Sequence, residues 1–453
     1  MTVKVGRPNI VFLFSDQQRW DTLGCYGQSL PVTPNLDRMA AEGVRFSQAF
    51  TCQPVCGPAR AALQTGLYPT ATGCFRNGIA LPLEQKTIAH HLGSAGYQLG
   101  YIGKWHLASS IAGYGPGEDT GFNFHERPVP PERRGGYGDY WLASDVLEFT
   151  SHGYDGYLFD REGRKIEFPG GRYRPDALTD FALEYLTSGH LKRPFFLFVS
   201  YVEPHHQNDR RRHEGPHGSA EQFKGFDVPG DLVGTEGDWR REFPEYLGAC
   251  HSLDQNVGRI RSELERLHLA QQTVLFYTSD HGSHFRTRNS EYKRSCHDAS
   301  IRIPLLAAGP GFEGGRVVEE LVSLIDLPPT LMEIAGVPPF VPLHGRALQP
   351  LVSGDATAWP REAFVQISES QVGRCVRTAR WKYSVRAPNR DGWREPDSET
   401  YTEEFLYDLE ADPHERANLV TSPDYGPMRN ELASVLKQRM REAGEREPVI
   451  VQG

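Results

Sequence analysis

With 453 residues, 38% of them hydrophobic and 24% charged, the chain is long enough for one large α/β core with a smaller appended unit. Lys and Arg number 49 against 58 Asp and Glu, a formal charge of −9 that argues against a nucleic-acid or anionic-membrane binder; an anionic ligand would need a local positive pocket. Seven cysteines, an odd number without tight pairing, suit a reducing compartment better than a disulfide framework.

The start of the chain runs directly into the apolar stretch 10–14, which is too short for a signal-peptide core and is followed by Ser15-Asp16 instead of a cleavage site. It reads as a first strand over residues 9–15, and the expected location is the cytoplasm. No run approaches the length of a membrane span. Helix-like and strand-like stretches then alternate: helix 33–43, strand 44–50, a helix from Pro58, helix 87–96 and strand 97–103. Helix 175–187, strand 195–201, an amphipathic stretch 245–267 and strand 273–279 continue the pattern. This predicts helices on both faces of a largely parallel sheet, with ligand residues at the carboxyl ends of its strands. Asp16, His205 and Asp280 each follow such a strand closely, so distant parts of the chain converge on one edge. Residues 113–171 and 208–237, rich in Gly and polar residues, read as long loops over that edge. Beyond about residue 356 the texture changes to short strands at 364–368, 374–379, 381–387 and 404–409 and a helix at 428–443. The expected organisation is a catalytic unit over 1–355 and a C-terminal antiparallel sheet plus helix over 356–453.

One short run names a chemistry. Cys56-Gly57-Pro58-Ala59-Arg60 continues through Leu63 and Thr65-Gly66 as C-x-P-x-R-x-x-L-x-T-G. Proline suits a first helical turn, and a helix beginning near Pro58 would direct Arg60 back toward position 56. Read from the residues alone, Cys56 could also be an unmodified thiol in a loop, Asp16 a helix cap, and Asp280-His281-Gly282 or Arg76-Asn77-Gly78 simple turns. Lys104-Trp105-His106 could be a solvated rim with a packed indole.

Together these features resemble the type I, formylglycine-dependent sulfatases of the alkaline phosphatase superfamily. The resemblance runs from the first strand to the closing segment Leu406-Tyr407-Asp408-Leu409, Asp412-Pro413, Glu415 and Asn418-Leu419. It implies an alkaline-phosphatase-like α/β fold and a sulfuric ester hydrolase whose Cys56 is oxidised to formylglycine by a formylglycine-generating enzyme. The hydrated aldehyde attacks sulfur with one hydroxyl, and the other later expels sulfate. Asp16, Gln17, Asp280 and His281, with an oxygen of residue 56, correspond to the metal site. The most familiar pattern there is Asp-Asp and Asp-Asn, so Gln17 and His281 leave room for Mn²⁺ or Mg²⁺ beside the expected Ca²⁺. Arg60 is placed on the nucleophile, Lys104 on nucleophile and sulfate, and His106 as the base that releases sulfate. Lys293 and His205 are placed on the sulfate and the leaving oxygen, with His206 as the alternative to His205. Asn77 matches an oxygen-binding position of some branches, and His284, Arg286 and Arg288 are candidate pocket residues. The expected substrate is a small sulfate ester such as a sulfated mono- or disaccharide. Two alternatives are a phosphonate monoester or phosphodiester hydrolase of the same superfamily, which usually lacks the Lys104–His106 pair, and a non-catalytic sulfate-ester binder, which would have lost Cys56, Arg60 or a metal ligand.

Overall fold

In the computed structural model, which describes residues 6–111, 122–189, 191 and 194–453, the alternating elements form one large mixed sheet. Its strands are β1 (Asn9–Ser15), β2 (Val44–Phe50), β3 (Gln98–Lys104), β4 (Tyr140–Ser144), β5 (Tyr157–Asp160), β6 (Lys165–Glu167), β7 (Phe195–Ser200), β8 (Thr273–Ser279), β9 (Arg302–Ile303), β10 (Leu305–Ala308) and β11 (Arg316–Ser323). They lie in the order β11-β2-β10-β8-β1-β7-β3-β4-β5-β6, with β9 on β2. The central run β8-β1-β7-β3-β4 is parallel throughout. Antiparallel pairs occur only toward the flanks, where β10 meets β8 and β2, β9 meets β2, and β5 meets β4 and β6.

Every residue of β1 is buried. Successive side chains on a strand face opposite ways, so a strand buried on both sides must be covered on both sides. Ile10, Phe12 and Phe14 pack with Ala59 and Leu63 of the helix Cys56–Thr65, Ile88 and Leu92 of Ile88–Ser94, and Leu331 of Leu327–Ala335. Val11 and Leu13 pack the other way, with Leu36 of Pro34–Glu42, Phe181 of Arg174–Thr187 and Val257 of Trp239–Arg266.

Two segments differ from expectation. Residues 122–171 hold β4, β5 and β6 and extend the main sheet, whereas a long loop was expected; residues 113–121 of that loop lie outside the described residues. Pairing with β3 makes Tyr140–Ser144 a strand despite its Gly- and Arg-rich surroundings, since strand formation follows packing more than composition. The helix Trp239–Arg266 begins ahead of Pro244 because Trp239 and Phe243 are buried in an aromatic cluster with Tyr246 and Phe285. The C-terminal sheet, β12 (Glu362–Ile367), β13 (Gly373–Thr378), β14 (Trp381–Arg386), β15 (Thr400–Asp408) and β16 (Val449–Val451), is antiparallel except for its last pair. Its helix Gly426–Glu442 packs Leu432, Leu436 and Met440 onto Val376, Tyr383 and Leu406. Among the described residues no helix is long and apolar enough to cross a membrane, and all seven cysteines are free thiols.

Candidate active site

The carboxyl ends of β1, β3, β7 and β8 bring the candidate residues together at one sheet edge. Asp16 directly follows β1, Asp280 directly follows β8, Lys104 ends β3, and His205 lies shortly past β7. Residue 56 arrives from β2 as the first residue of the helix Cys56–Thr65, whose N-cap is Val55. Pro58 then falls in the first turn, where an absent N–H costs no helical bond. Gly103 allows β3 to approach β7 there: its φ is +103°, and a Cβ would stand 2.0 Å from the Ser200 carbonyl oxygen.

Cys56 Sγ is the meeting point. It lies 3.3 Å from Asp16 Oδ1, 3.2 Å from His281 Nε2 and 2.8 Å from Lys293 Nζ. The Lys293 ammonium also donates to His281 Nε2 at 3.1 Å and to His205 Nε2 at 3.2 Å. Asp16 Oδ2 accepts from Lys104 Nζ at 2.7 Å and from Arg60 Nη2 at 2.9 Å. Arg60 also reaches Asp280 Oδ2 at 3.5 Å and donates to Ser200 Oγ at 2.8 Å, so its guanidinium ties the two acids beside residue 56 to β7. His106 and Gln17 hold left-handed backbones, φ +59° and +67°, and both line the cavity. That cavity, about 310 Å³, also takes in Cys56, Asn77, His205 and Lys293. A larger one of about 490 Å³, by Tyr154 and Glu245, contains none of the candidate catalytic residues; chemistry, and not size, selects the smaller.

Charge inside the cluster is strongly sorted. Burial alone would raise Asp16, but Lys104, His205, Arg60 and Lys293 together hold it well below the usual carboxylate range. Asp280 is pushed up to about 7, by burial first and by the negative charge of Asp16 second. Burial, then Lys293, pushes His205 down to about 3, and burial, then Lys104, holds His106 well below the usual imidazole range, so both rings are neutral at neutral pH. The Cys56 thiol is pushed up to about 12, by burial and then by Asp16, and as a thiol is a poor nucleophile.

Asp16, Cys56, Asp280 and His281 each offer a ligand atom, all within 4.8 Å of one another. Asp280 Oδ2 is buried without a hydrogen-bond partner. His281 Nδ1 donates to the Gly282 carbonyl at 2.9 Å, which leaves Nε2 its lone pair. Gln17 spends Nε2 on Ser283 Oγ at 3.4 Å, which leaves its oxygen as an acceptor. A set of hard oxygens with one imidazole fits a divalent cation.

The remaining candidates separate clearly. His205 lines the cavity, whereas His206 stacks on Tyr292, ring centroids 4.3 Å apart. Asn77 lines the cavity but commits Oδ1 to the Gly57 N–H at 2.8 Å. His284 binds the Lys293 carbonyl, Arg286 lies over Tyr292 and Arg288 binds the carbonyls of His414 and Glu415; none of the three lines the cavity. Cys52 is buried against the C-terminal sheet. Sequence reasoning missed Glu148, whose Oε1 lies 2.5 Å from Lys104 Nζ, and Asp145, whose carboxylate accepts the N–H groups of Leu107, Ala108 and Ser109. The signal was present: both acids follow β4, as Asp16 follows β1, but β4 was hidden in a segment read as loop. Arg294, Trp393, His125 and Phe149 are further wall residues that carried no motif.

The sulfatase family model matches residues 8–337, and that of the N-sulphoglucosamine sulphohydrolase C-terminal region matches residues 290–442. An ulvan-active sulfatase of Formosa agariphila is 29% identical over 462 residues, covering 97% of this chain and 82% of that protein. An N-acetylglucosamine-6-O-sulfatase of Bacteroides thetaiotaomicron is 23% identical over 98% of this chain and 88% of its own length. The solved structure of yidJ from Bacteroides fragilis superposes with a TM-score of 0.81 at 26% identity, covering 98% of both chains. The family match over most of the chain and the shared alkaline-phosphatase-like fold lead to one conclusion: this chain belongs to the sulfatase family of hydrolases.

Proposed function

We propose that this sulfatase hydrolyses the sulfate monoester of a small saccharide. Residue 56, converted to formylglycine by a formylglycine-generating enzyme, is the nucleophilic position, and Asp16, Gln17, Asp280, His281 and residue 56 hold a divalent cation, Ca²⁺ foremost. The observation that carries this reading is the contact of Cys56 Sγ with Asp16, His281 and Lys293 beneath a cavity that His106 and His205 also line. The saccharide assignment draws on the names of the ulvan-active and N-acetylglucosamine-6-O relatives. When present, the cation and the hydrated aldehyde supply Lewis-acid charge and a pair of hydroxyls, one to attack sulfur and one to release sulfate.

The chain's own residues do the rest. Lys293, which lines the cavity, presents a fixed ammonium group where the sulfuryl oxygens gain charge, and Lys104, buried behind it on Asp16 and Glu148, adds a second fixed positive charge. Arg60 keeps Asp16 and Asp280 in place. His106, neutral because of its burial beside Lys104, is free to accept a proton as sulfate is released. His205 is also neutral, and its Nδ1 donates to the His206 carbonyl at 2.7 Å, so its Nε2 acts as an acceptor. The proton for the leaving alcohol therefore comes from the Lys293 ammonium, which already donates to that nitrogen.

Mass spectrometry of the peptide spanning residue 56 should show an aldehyde in active protein; full activity with only a thiol there overturns the nucleophile. Parallel assays of an aryl sulfate and an aryl phosphonate monoester should favour the sulfate, and a higher efficiency on the phosphonate rejects the sulfate-ester reading. A panel of sulfated mono- and disaccharides then tests the substrate class.

A further inference from the structure

The C-terminal sheet reaches the catalytic helix through one carboxylate. Glu369 lies just past β12, its side chain fully buried at 0% exposure and its backbone left-handed at φ +65°. A non-glycine residue holds that conformation only where its surroundings impose it. They do so here: the Glu369 N–H donates to the Gly392 carbonyl at 2.9 Å, and Gly392 packs so closely that a Cβ would stand 2.7 Å from the Gln371 backbone.

From this fixed position the carboxylate has two arms. Oε1 accepts from the Asn77 N–H at 2.8 Å, and Asn77 Oδ1 accepts from the Gly57 N–H at 2.8 Å, beside Cys56. The fit is tight, since a Cβ on Gly57 would lie 2.9 Å from Asn77 Oδ1. Oε2 stands 2.5 Å from Arg294 Nη2, an ion pair held next to Lys293, whose Nζ is 2.8 Å from Cys56 Sγ. One buried acid thus reaches both segments that flank the nucleophile, and the first arm needs only an acceptor oxygen whereas the second needs charge.

We propose that Glu369 is a positioning residue of this site, setting the first turn of the catalytic helix through Asn77 and the lysine beside it through Arg294. The proposal rests on residue 56 being the nucleophile of sulfate-ester hydrolysis. A group that only stabilises the fold would change the folded fraction without changing turnover by folded enzyme, whereas misplacing a nucleophile lowers kcat itself.

The test measures 4-nitrophenyl sulfate hydrolysis by full-length protein, expressed per folded, formylglycine-bearing molecule. Glu369→Ala is expected to lower kcat about ten- to hundredfold with a much smaller change in KM. Glu369→Gln, which keeps an acceptor for Asn77, should recover most of that loss. In a cycle with Asn77→Ala, the double variant should lose at least about tenfold less than the product of the single losses, the mark of one shared path. Equal kcat in all variants with only lowered melting temperatures, or losses that multiply in the double variant, overturns the proposal. Wild-type protein that bears formylglycine yet releases no sulfate overturns the reading beneath it, a distinct outcome.

Discussion

Lys104 and Lys382 are both fully buried, and each is flanked by two acids: Asp16 and Glu148 in one case, Asp298 and Glu415 in the other. Burial alone would neutralise both amines, yet in each case the adjacent carboxylates outweigh it and hold the pKa above the usual lysine range. They differ in what is left over. Around Lys382 the pairing closes: Asp298 also meets Arg377 at 3.3 Å, Glu415 accepts the Asp298 N–H at 2.7 Å, and one guanidinium nitrogen of Arg377 stays unpaired. Around Lys104 it stays open: Asp280 Oδ2, Glu148 Oε2, His106 Nδ1 and Arg60 Nε lack hydrogen-bond partners, and Glu148 and His106 line the cavity. Buried charge is common to a structural cluster and to the proposed catalytic one. Unspent bonding capacity next to a cavity separates them.

The contrast is sharpest at residue 56. Cys56→Ala should lower kcat by about 10⁴-fold or more while the urea midpoint moves little; a variant keeping a tenth of wild-type turnover removes the nucleophile from the proposed site. Lys104→Met is expected to lower kcat by about 10²- to 10³-fold. Lys382→Met should leave kcat per folded molecule within about threefold, so a comparable loss there erases the distinction between the two clusters.

In stability the two clusters should be alike. Lys382→Met leaves Glu415 with only the Asp298 N–H while Asp298 keeps Arg377 at 3.3 Å, and should cost about 3–5 kcal/mol in unfolding free energy. Lys104→Met should cost a similar amount, because Arg60 remains 2.9 Å from Asp16 but Glu148 loses the ammonium beside its Oε1. Denaturant titration of both variants checks that equality. Chelation should remove activity, with Ca²⁺ restoring it, and should lower the melting temperature of the wild type and of Lys382→Met by the same amount if the cation binds only the open cluster.

The smallest expected effect is a pH slope. His297, packed against Phe405 and Tyr407, is held well below its usual 6.5 by burial first and by Arg288 second. It is neutral in the fold and titrates near 6.5 once unfolded, so below that pH the unfolded chain binds more protons. Its contribution is complete above that pH and declines as pH falls, by at most about 1.4 kcal/mol per unit. Urea midpoints of wild type and His297→Gln between pH 7 and pH 5 should converge on acidification; parallel curves exclude the assignment.

The central strands β1, β7 and β8 were legible because each is buried along its whole length and so reads as an apolar run, as in Ile10 to Phe14. The acids at the ends of those runs were legible for the same reason. Pro244 hid the start of the long helix, since a local rule forbids what the burial of Trp239 and Phe243 imposes. Glu148 was invisible because β4 becomes a strand only by pairing with β3.

By itself, then, the sequence determined the α/β class, the strand-end acids and the Cys56 run, all of which rest on local periodicity and short spacing. Tertiary structure alone decided that Lys293 and not Arg60 lies against Cys56 Sγ, that His205 and not His206 faces the cavity, and that Glu369 reaches back from the second sheet to Asn77. Those outcomes depend on which distant side chains share a desolvated space, and local periodicity carries no information about that.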